Sequence, residues 1–403
     1  MEQKPQKVFI DVVGCPENRW DAGQLASLLE KNDAVLVENP AEADTLIVNT
    51  CGLTRGNEKI SQDIITRVKA HSSPGSRLVI CGCLPKINLP ALEEFTETLI
   101  VPGPMLDNLP WILTKQRDCR TDFNPQILPQ RRILKKENIW TLKKSPFWIF
   151  DRLMYLWAGI TPPGRKRFFI KIASGCNHHC TYCAIKISRG RLTSMPPEWV
   201  KERIAEGVRA GYRDINLLGT NVSAYGKDIG TNLAALLKDI IKIDDSIRLH
   251  LRNCEPEDLL DCLPELQEVL RTGKIKYLEM PLQSGSDRIL KRMNRGYKTA
   301  DYIKVFNTLK EAYPKLHIRS QAMVGFPGET EEDFKQTLDL ASRLPFLYVE
   351  TFHFSVRPGT AAEKLDGKLD KKSVMRRYHI LQKRLQRAQL GSKLRFGIQY
   401  LLS

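Results

Sequence analysis

The chain reads Gly175-Cys176-Asn177-His178-His179-Cys180-Thr181-Tyr182-Cys183 near its middle. The three cysteines have the spacing C-x3-C-x2-C, and cysteine thiolates are the usual ligands of iron–sulfur clusters. A four-iron cluster normally takes four thiolates, so three would leave one iron open to a small molecule, much as a catalytic zinc site keeps one open position. The spacing therefore favours a cluster that takes part in catalysis.

A structural zinc site and a set of plain core cysteines are the alternatives. Zinc would need a fourth ligand, which His178 or His179 could supply. Zinc motifs usually pair two cysteine knuckles, or one knuckle with a spaced histidine pair, and no second knuckle follows here. We therefore interpret the three cysteines as cluster ligands and the two histidines as loop residues.

Composition indicates a globular chain with a polyanionic partner. The 403 residues are enough for two or three domains, 42% of them are hydrophobic, and the net charge is +16. Such a charge suits RNA, although a solvated basic surface is the alternative. No signal-peptide pattern opens the chain, so we expect a cytoplasmic protein whose ten cysteines stay reduced.

The first part of the chain alternates strands and helices, which predicts a parallel sheet. Predicted strands cover 7–14, 44–50 and 77–82, and predicted helices cover 18–32 and 58–71. Cys15, Cys51 and Cys83 each follow the end of one strand, where open α/β sheets bind ligands. These three cysteines can therefore converge on one site, whereas Cys81 should point into the core. Three unrelated core cysteines are the alternative.

A second βα series begins at Phe168 and runs through six strands, which predicts a partial (β/α)6 TIM-type barrel. The predicted strands are 168–173, 214–218, 247–251, 275–280, 316–324 and 346–354. The Cys176–Cys183 run follows the first of them, and barrel active sites lie in the loops at this end of the strands. Cys254 and Cys262 lack ligand spacing and should be structural.

Four segments follow from these patterns. We predict an N-terminal Rossmann-like α/β domain over 1–118, a basic and apolar linker over 119–165, the barrel over 166–365, and a basic helix with a short tail over 366–403. The linker contains the apolar stretch Phe147–Ile160, which is too short and too charged to span a membrane and could pack as an amphipathic helix.

The motifs together resemble the radical SAM methylthiotransferase family. The resemblance covers residues 7–390 and rests on both cysteine sets and on four barrel motifs in the right order. Beyond the Cys176 run, the motifs are Gly14-Cys15-Pro16, Asn49-Thr50-Cys51, Gly82-Cys83-Leu84, Pro281–Ser286, Lys291–Tyr297, Gly325–Thr330 and Arg357-Pro358-Gly359-Thr360.

This resemblance implies two [4Fe-4S] clusters and S-adenosylmethionine (SAM). Cys176, Cys180 and Cys183 would hold the cluster that binds and cleaves SAM, and Cys15, Cys51 and Cys83 would hold an auxiliary cluster that binds the sulfur to be donated. The residues implied to contact SAM are Tyr182, near the adenine, and the loop residues Gly219, Thr220, Asn221 and Gln283. The product would carry a methylthio group on a formerly unactivated carbon.

Three departures from the family pattern stand in this sequence. The chain stops about where an RNA- or protein-binding TRAM domain would begin, Lys186 stands where a proline is usual, and Ser320-Gln321 replaces a Thr-Asp pair. The first departure leaves the substrate open, and the other two indicate an altered pocket.

Three functions are therefore considered. The leading one is methylthiolation of a tRNA adenosine near the anticodon, and the second is the same chemistry on a protein or peptide side chain such as a ribosomal aspartate. The third is an inactive iron–sulfur protein that binds RNA. For an active enzyme, we expect a monomer that takes electrons from a reducing partner such as flavodoxin or ferredoxin.

Overall fold

The computed structural model describes residues 5–95, 98–102 and 167–401, with side chains for all of these except 102 and 392–401. The predicted linker over 119–165, including Phe147–Ile160, lies outside the described residues. The predicted domain limits therefore stay predictions. No helix among the described residues is long and apolar enough to cross a membrane.

The first sheet has five parallel strands in the order β2-β1-β3-β4-β5. The strands are β1 (Lys7–Val12), β2 (Val35–Leu36), β3 (Thr45–Thr50), β4 (Arg77–Gly82) and β5 (Leu99–Pro102). β1, β3 and β4 confirm the three predicted strands, and the two edge strands were not predicted. After β1 the chain adds β2 on one side of β1, and it then crosses over to add β3 on the other side. The gap beyond the ends of β1 and β3 is therefore a topological switch point, where such sheets bind ligands.

Helices cover both faces of this sheet and create two apolar layers. They are α1 (Pro16–Lys31), α2 (Arg55–Ala70) and the short α3 (Leu84–Ile87). Leu25 and Leu29 of α1 pack in one layer, and Ile64 and Ile65 of α2 pack in the other. Cys81 is fully buried in the α1 layer, as predicted. The N-terminal part is thus a Rossmann-like α/β unit.

The second sheet has six parallel strands in simple chain order, from edge strand β6 to edge strand β13. Within the described residues the two edges do not pair with each other, so the barrel is partial, as expected. The strands are β6 (Arg167–Lys171), β9 (Asp214–Leu218), β10 (Arg248–Leu251), β11 (Ile275–Glu279), β12 (His317–Val324) and β13 (Tyr348–His353), with a small ribbon of β7 (Ala173–Ser174) and β8 (Thr193–Ser194) beside them.

Amphipathic helices cover the outer face of the barrel. They are α5 (Pro197–Arg209), α6 (Leu233–Ile240), α8 (Leu263–Arg271), α10 (Thr299–Ala312) and α11 (Glu331–Arg343), whereas the short helices α4 (Ile185–Arg189), α7 (Pro256–Asp261) and α9 (Asp287–Arg292) lie in segments that follow the carboxyl ends of β7, β10 and β11. Outward residues of the strands, such as Ile215 and Leu249, pack with buried helix residues such as Leu237 in one large core. Cys254 and Cys262 are buried in this core, which agrees with a structural role.

The predicted basic C-terminal helix is confirmed as α12 (Lys371–Leu401). Its buried Arg377 forms ion pairs with Glu329 and Glu331, which lie at the carboxyl end of β12 and the start of α11. The start of α12 is therefore fixed to the barrel loops by charge as well as by apolar packing.

Candidate active site

The Cys176–Cys183 run lies in a closed loop at the carboxyl end of β6. The β7–β8 ribbon closes the loop, and the amide of Cys176 donates to the carbonyl of Gly190 at 3.2 Å. Gly175 has φ +73°, and a Cβ there would lie 2.0 Å from the carbonyl oxygen of Arg191. Only glycine fits this position, so the local sequence fixes where the first cysteine begins.

Two polar side chains reach the sulfur atoms of this loop. Arg295, from the segment after α9, donates to the sulfur of Cys180 at 3.2 Å and to the hydroxyl of Tyr182 at 3.3 Å. Asn221, after β9, donates to the sulfur of Cys176 at 3.9 Å. Hydrogen bonds and positive charge near sulfur favour the thiolate form that a metal needs. The loop therefore has the surroundings of a ligand site.

Burial works in the opposite direction on the free thiols. It raises the pKa of Cys183 to about 12 and also raises the pKa of Cys176. A bound metal removes the proton outright, so metal binding here would release protons.

His178 is held by protein partners. Its ring contacts Asp258 at 2.8 Å and also pairs with Glu257, both on α7. Burial alone would lower the pKa of His178, but hydrogen bonds to the two carboxylates raise it to about 9. Asp258 also accepts from Asn221 at 2.6 Å and from Lys227 at 2.6 Å. His178 therefore ties the cysteine loop to α7.

The second cysteine set converges at the switch point of the first sheet. Cys15 precedes α1, Cys51 follows β3, and Cys83 precedes α3. A Cβ on Gly14, which has φ +116°, would lie 2.9 Å from the Cβ of Cys51 and 3.2 Å from its sulfur. The glycine before Cys15 thus lets the β1 and β3 loops come into contact.

The three thiols of this set influence one another. Burial raises the pKa of Cys15 to about 11 and that of Cys51 to about 12, and it raises the pKa of Cys83 as well. Cys83 contributes to the raised pKa of both other thiols. The sequence prediction that strand ends bring these residues together agrees with this arrangement.

Neither set has the compact form of a single-ion site. Throughout the described ranges, no three His, Cys, Asp or Glu side chains stand close enough together to hold one metal ion. A zinc ion would hold its sulfur ligands at about 2.3 Å, whereas a four-iron cluster is wider and takes its cysteines further apart. The arrangement is compatible with cluster ligands.

The two sets are brought together where the first sheet contacts the barrel. Ala184, next to Cys183, packs against Cys83 and Ile87. Glu17, two residues after Cys15, accepts from Thr220 at 3.2 Å and from Ser174 at 3.4 Å. Both cysteine loops therefore face the same junction.

The remaining predicted site residues lie in the loops that follow barrel strands. Tyr182 packs edge-on against Phe326, with ring centroids 6.4 Å apart. Gly219 lies beside Ala173, and a Cβ there would be 3.0 Å from its carbonyl oxygen. Gln283, in the loop after β11, has φ +60°, and its backbone pairs with Gln321 and Met323 of β12. Thr220 and Asn221 contact Glu17 and Asp258 as described above.

Sequence reasoning missed the polar lining of the barrel interior. Gln321 donates to Glu279 at 2.6 Å, and Arg252 lies 3.4 Å from the same carboxylate. Arg319 pairs with Glu350 on the neighbouring strand. The signal was the alternation of polar and apolar residues along β12, which places Arg319 and Gln321 on the inner face. The two residues of the unusual Ser320-Gln321 pair therefore lie on opposite faces of β12. Ser320 is buried against Tyr302, and Gln321 faces the barrel interior.

Two family descriptions match the chain. Residues 170–341 match the "Radical SAM superfamily", and residues 7–101 match "Uncharacterized protein family UPF0004".

Named relatives align along most of the chain. A "Threonylcarbamoyladenosine tRNA methylthiotransferase MtaB" of Thermotoga maritima is 31% identical, covering 94% of this chain and 81% of the relative. A "tRNA-2-methylthio-N(6)-dimethylallyladenosine synthase" of Pelotomaculum thermopropionicum is also 31% identical, covering 89% of this chain and 78% of the relative.

Among solved structures, the fold is similar to a radical S-adenosylmethionine methyltransferase, TsrM, from Kitasatospora setae. The TM-score is 0.60 at 15% identity, and the match covers 89% of this chain and 77% of that one. At such low identity the likeness concerns the fold alone.

Proposed function

Since this chain belongs to the radical SAM methylthiotransferase family, we propose that it transfers a methylthio group to an unactivated C–H bond of a tRNA adenosine near the anticodon. The observation that carries the proposal is the pair of cysteine sets facing one junction, each at the ligand-binding end of its own sheet. The names of the two relatives support tRNA as the substrate, and so does the net charge of +16.

The family implies one [4Fe-4S] cluster and SAM. We assign Cys176, Cys180 and Cys183 to that cluster and Cys15, Cys51 and Cys83 to a second one. When bound, these groups supply one-electron chemistry, a carbon radical and the sulfur to be transferred. Tyr182, Gly219, Thr220, Asn221 and Gln283 are proposed to line the SAM site.

The protein's own side chains position these groups and balance their charge. Arg295, whose side chain is 4% exposed, donates to Cys180 and pairs with Glu255. Its orientation is therefore fixed before any ligand binds, which keeps the cationic group beside the cysteine loop. Asn221 and His178 fix the same loop to α7 from the other side.

The substrate test compares modified nucleosides in tRNA from a strain with and without the gene. Loss of a 2-methylthioadenosine derivative on deletion, with its return when the wild-type gene is restored, is the expected result. The control is restoration with the Cys51→Ala variant, which should not bring the nucleoside back. Unchanged levels in the deletion strain would overturn the tRNA assignment.

The other two functions are distinguished with purified, reconstituted enzyme. A methylthiolated peptide or ribosomal protein with unmodified tRNA would favour the protein substrate. Failure to cleave SAM under strong reduction would favour the inactive RNA-binding protein.

A further inference from the structure

Arg189 is a buried cation of the barrel whose side chain contacts the N-terminal unit. It is the last residue of α4, the five-residue helix that begins two residues after Cys183. Its side chain is 11% exposed and forms ion pairs with Glu17 and Asp21 of α1, both at 2.9 Å. Arg189 therefore follows the Cys176–Cys183 loop in the sequence, but its side chain lies beside α1, the helix that Cys15 precedes.

The contacts of Arg189 lead directly to the second cysteine set. Its Nη2 donates to the side-chain oxygen of Asn18 at 3.4 Å, and that oxygen lies 4.0 Å from the sulfur of Cys83. The guanidinium of Arg189 therefore lies one side chain away from the sulfur of Cys83, and its partner Glu17 lies two residues after Cys15.

The two cysteine sets have separate cations. Arg295 donates to the sulfur of Cys180 in the barrel loop. Arg189 has the matching role at the N-terminal set, although it comes from the barrel. Glu17, which forms the 2.9 Å ion pair with Arg189, brings a charge of the opposite sign to the same place.

We propose that Arg189 is a positioning residue that completes the N-terminal cysteine site from the neighbouring unit and sets the reduction potential of the iron–sulfur cluster bound there. This inference rests on the proposed function, because it assumes that Cys15, Cys51 and Cys83 hold a cluster. Reduction adds a negative charge to a cluster, so a nearby cation stabilises the reduced form and raises the potential. The anion of Glu17 acts with the opposite sign.

The test measures the potential of this cluster alone. The full chain carries Cys176→Ala, Cys180→Ala and Cys183→Ala, so that only the N-terminal set can bind iron, and the potential is followed by electron paramagnetic resonance in a redox titration. Arg189→Gln should make the potential more negative. The reduction equilibrium constant should fall by about tenfold, which corresponds to about 59 mV for one electron. Glu17→Gln should shift the potential in the positive direction.

Two controls separate charge from structure. Arg189→Lys keeps the charge, so the potential of this variant should stay close to that found with Arg189 intact. Lys238→Gln removes one positive charge on the outer helix α6, where Lys238 pairs with Glu268, and should leave the potential unchanged. General disturbance of the site would move the Arg189 and Glu17 variants in the same direction.

The outcomes distinguish this inference from the proposed function. If iron binds and the potential shifts in opposite directions in Arg189→Gln and Glu17→Gln, the result supports both the role of Arg189 and the two-cluster proposal. Iron bound with no shift in Arg189→Gln, or with the same shift in both variants, overturns the role of Arg189 and leaves the two-cluster proposal standing. No iron bound when Arg189 and Glu17 are intact overturns both. If Arg189→Gln fails to fold, the Glu17→Gln shift decides alone, and the absence of a positive shift overturns the inference.

Discussion

Arg357 and Glu58 form a buried ion pair that joins the barrel to the N-terminal unit. Arg357 follows β13 and its side chain is 2% exposed, whereas Glu58 lies in the first turn of α2, shortly after Cys51. Asn88 also donates to the Glu58 carboxylate, at 2.9 Å. The pair therefore fixes the segment that follows Cys51 against the loop that follows β13.

Replacing Arg357 by Gln should destabilise the protein by about 2 to 4 kcal/mol, because it leaves a mostly buried carboxylate without its cation. Chemical unfolding of the purified variant measures the loss. The matched control is Arg376→Gln, which breaks an exposed pair with Glu331 and should cost less than about 1 kcal/mol. Equal losses in the two variants would contradict the buried role of Arg357.

Gly175→Ala should damage the cysteine loop far more than Gly190→Ala. Both glycines have positive φ, +73° and +75°, which strains alanine at either position. Only at Gly175 would the new methyl group meet backbone, since Gly190 has nothing within 4 Å of its Cβ position. SAM cleavage should fall by about tenfold or more in Gly175→Ala, corresponding to about 1.4 kcal/mol, and should fall less in Gly190→Ala, where only the backbone strain acts. Similar rates in the two variants would contradict the loop geometry.

Stability should fall as the pH drops from about 6.5 toward 4, partly because of His317. Burial lowers the pKa of this histidine, at the start of β12, to about 4. The unfolded chain takes up the proton near pH 6.5 while the folded protein resists it, so the folded form loses about 1 to 3 kcal/mol across this window. Unfolding of wild type and His317→Gln at pH 8 and pH 5 tests this. The variant should lose less stability between the two pH values.

The sequence predicts the chemistry-bearing parts of this protein better than their surroundings. Cys15, Cys51 and Cys83 each follow a strand in a clear alternation of strands and helices. Their convergence therefore follows from the topology of a parallel sheet. The edge strands β2 and β5 are too short to give a pattern. Contacts such as Arg189 with Glu17 join residues far apart in the chain, and no local periodicity encodes them.

The interior of the barrel shows the same limit. Gln321 is visible in the sequence as a departure from the family pattern, but its partner Glu279 follows from the register between β11 and β12. A one-residue shift of that register would turn the side chain to the opposite face. The sequence pattern therefore identifies the residue, and only the structure identifies its contact.

The central claim is that the two cysteine sets perform different tasks on one substrate. Its most direct test gives purified, reconstituted enzyme SAM, a reductant and tRNA, and measures SAM cleavage and methylthiolated nucleoside by mass spectrometry. We expect Cys180→Ala to lose both activities and Cys51→Ala to keep SAM cleavage while losing the methylthiolated product. Methylthio transfer by either variant at the wild-type rate would contradict the account.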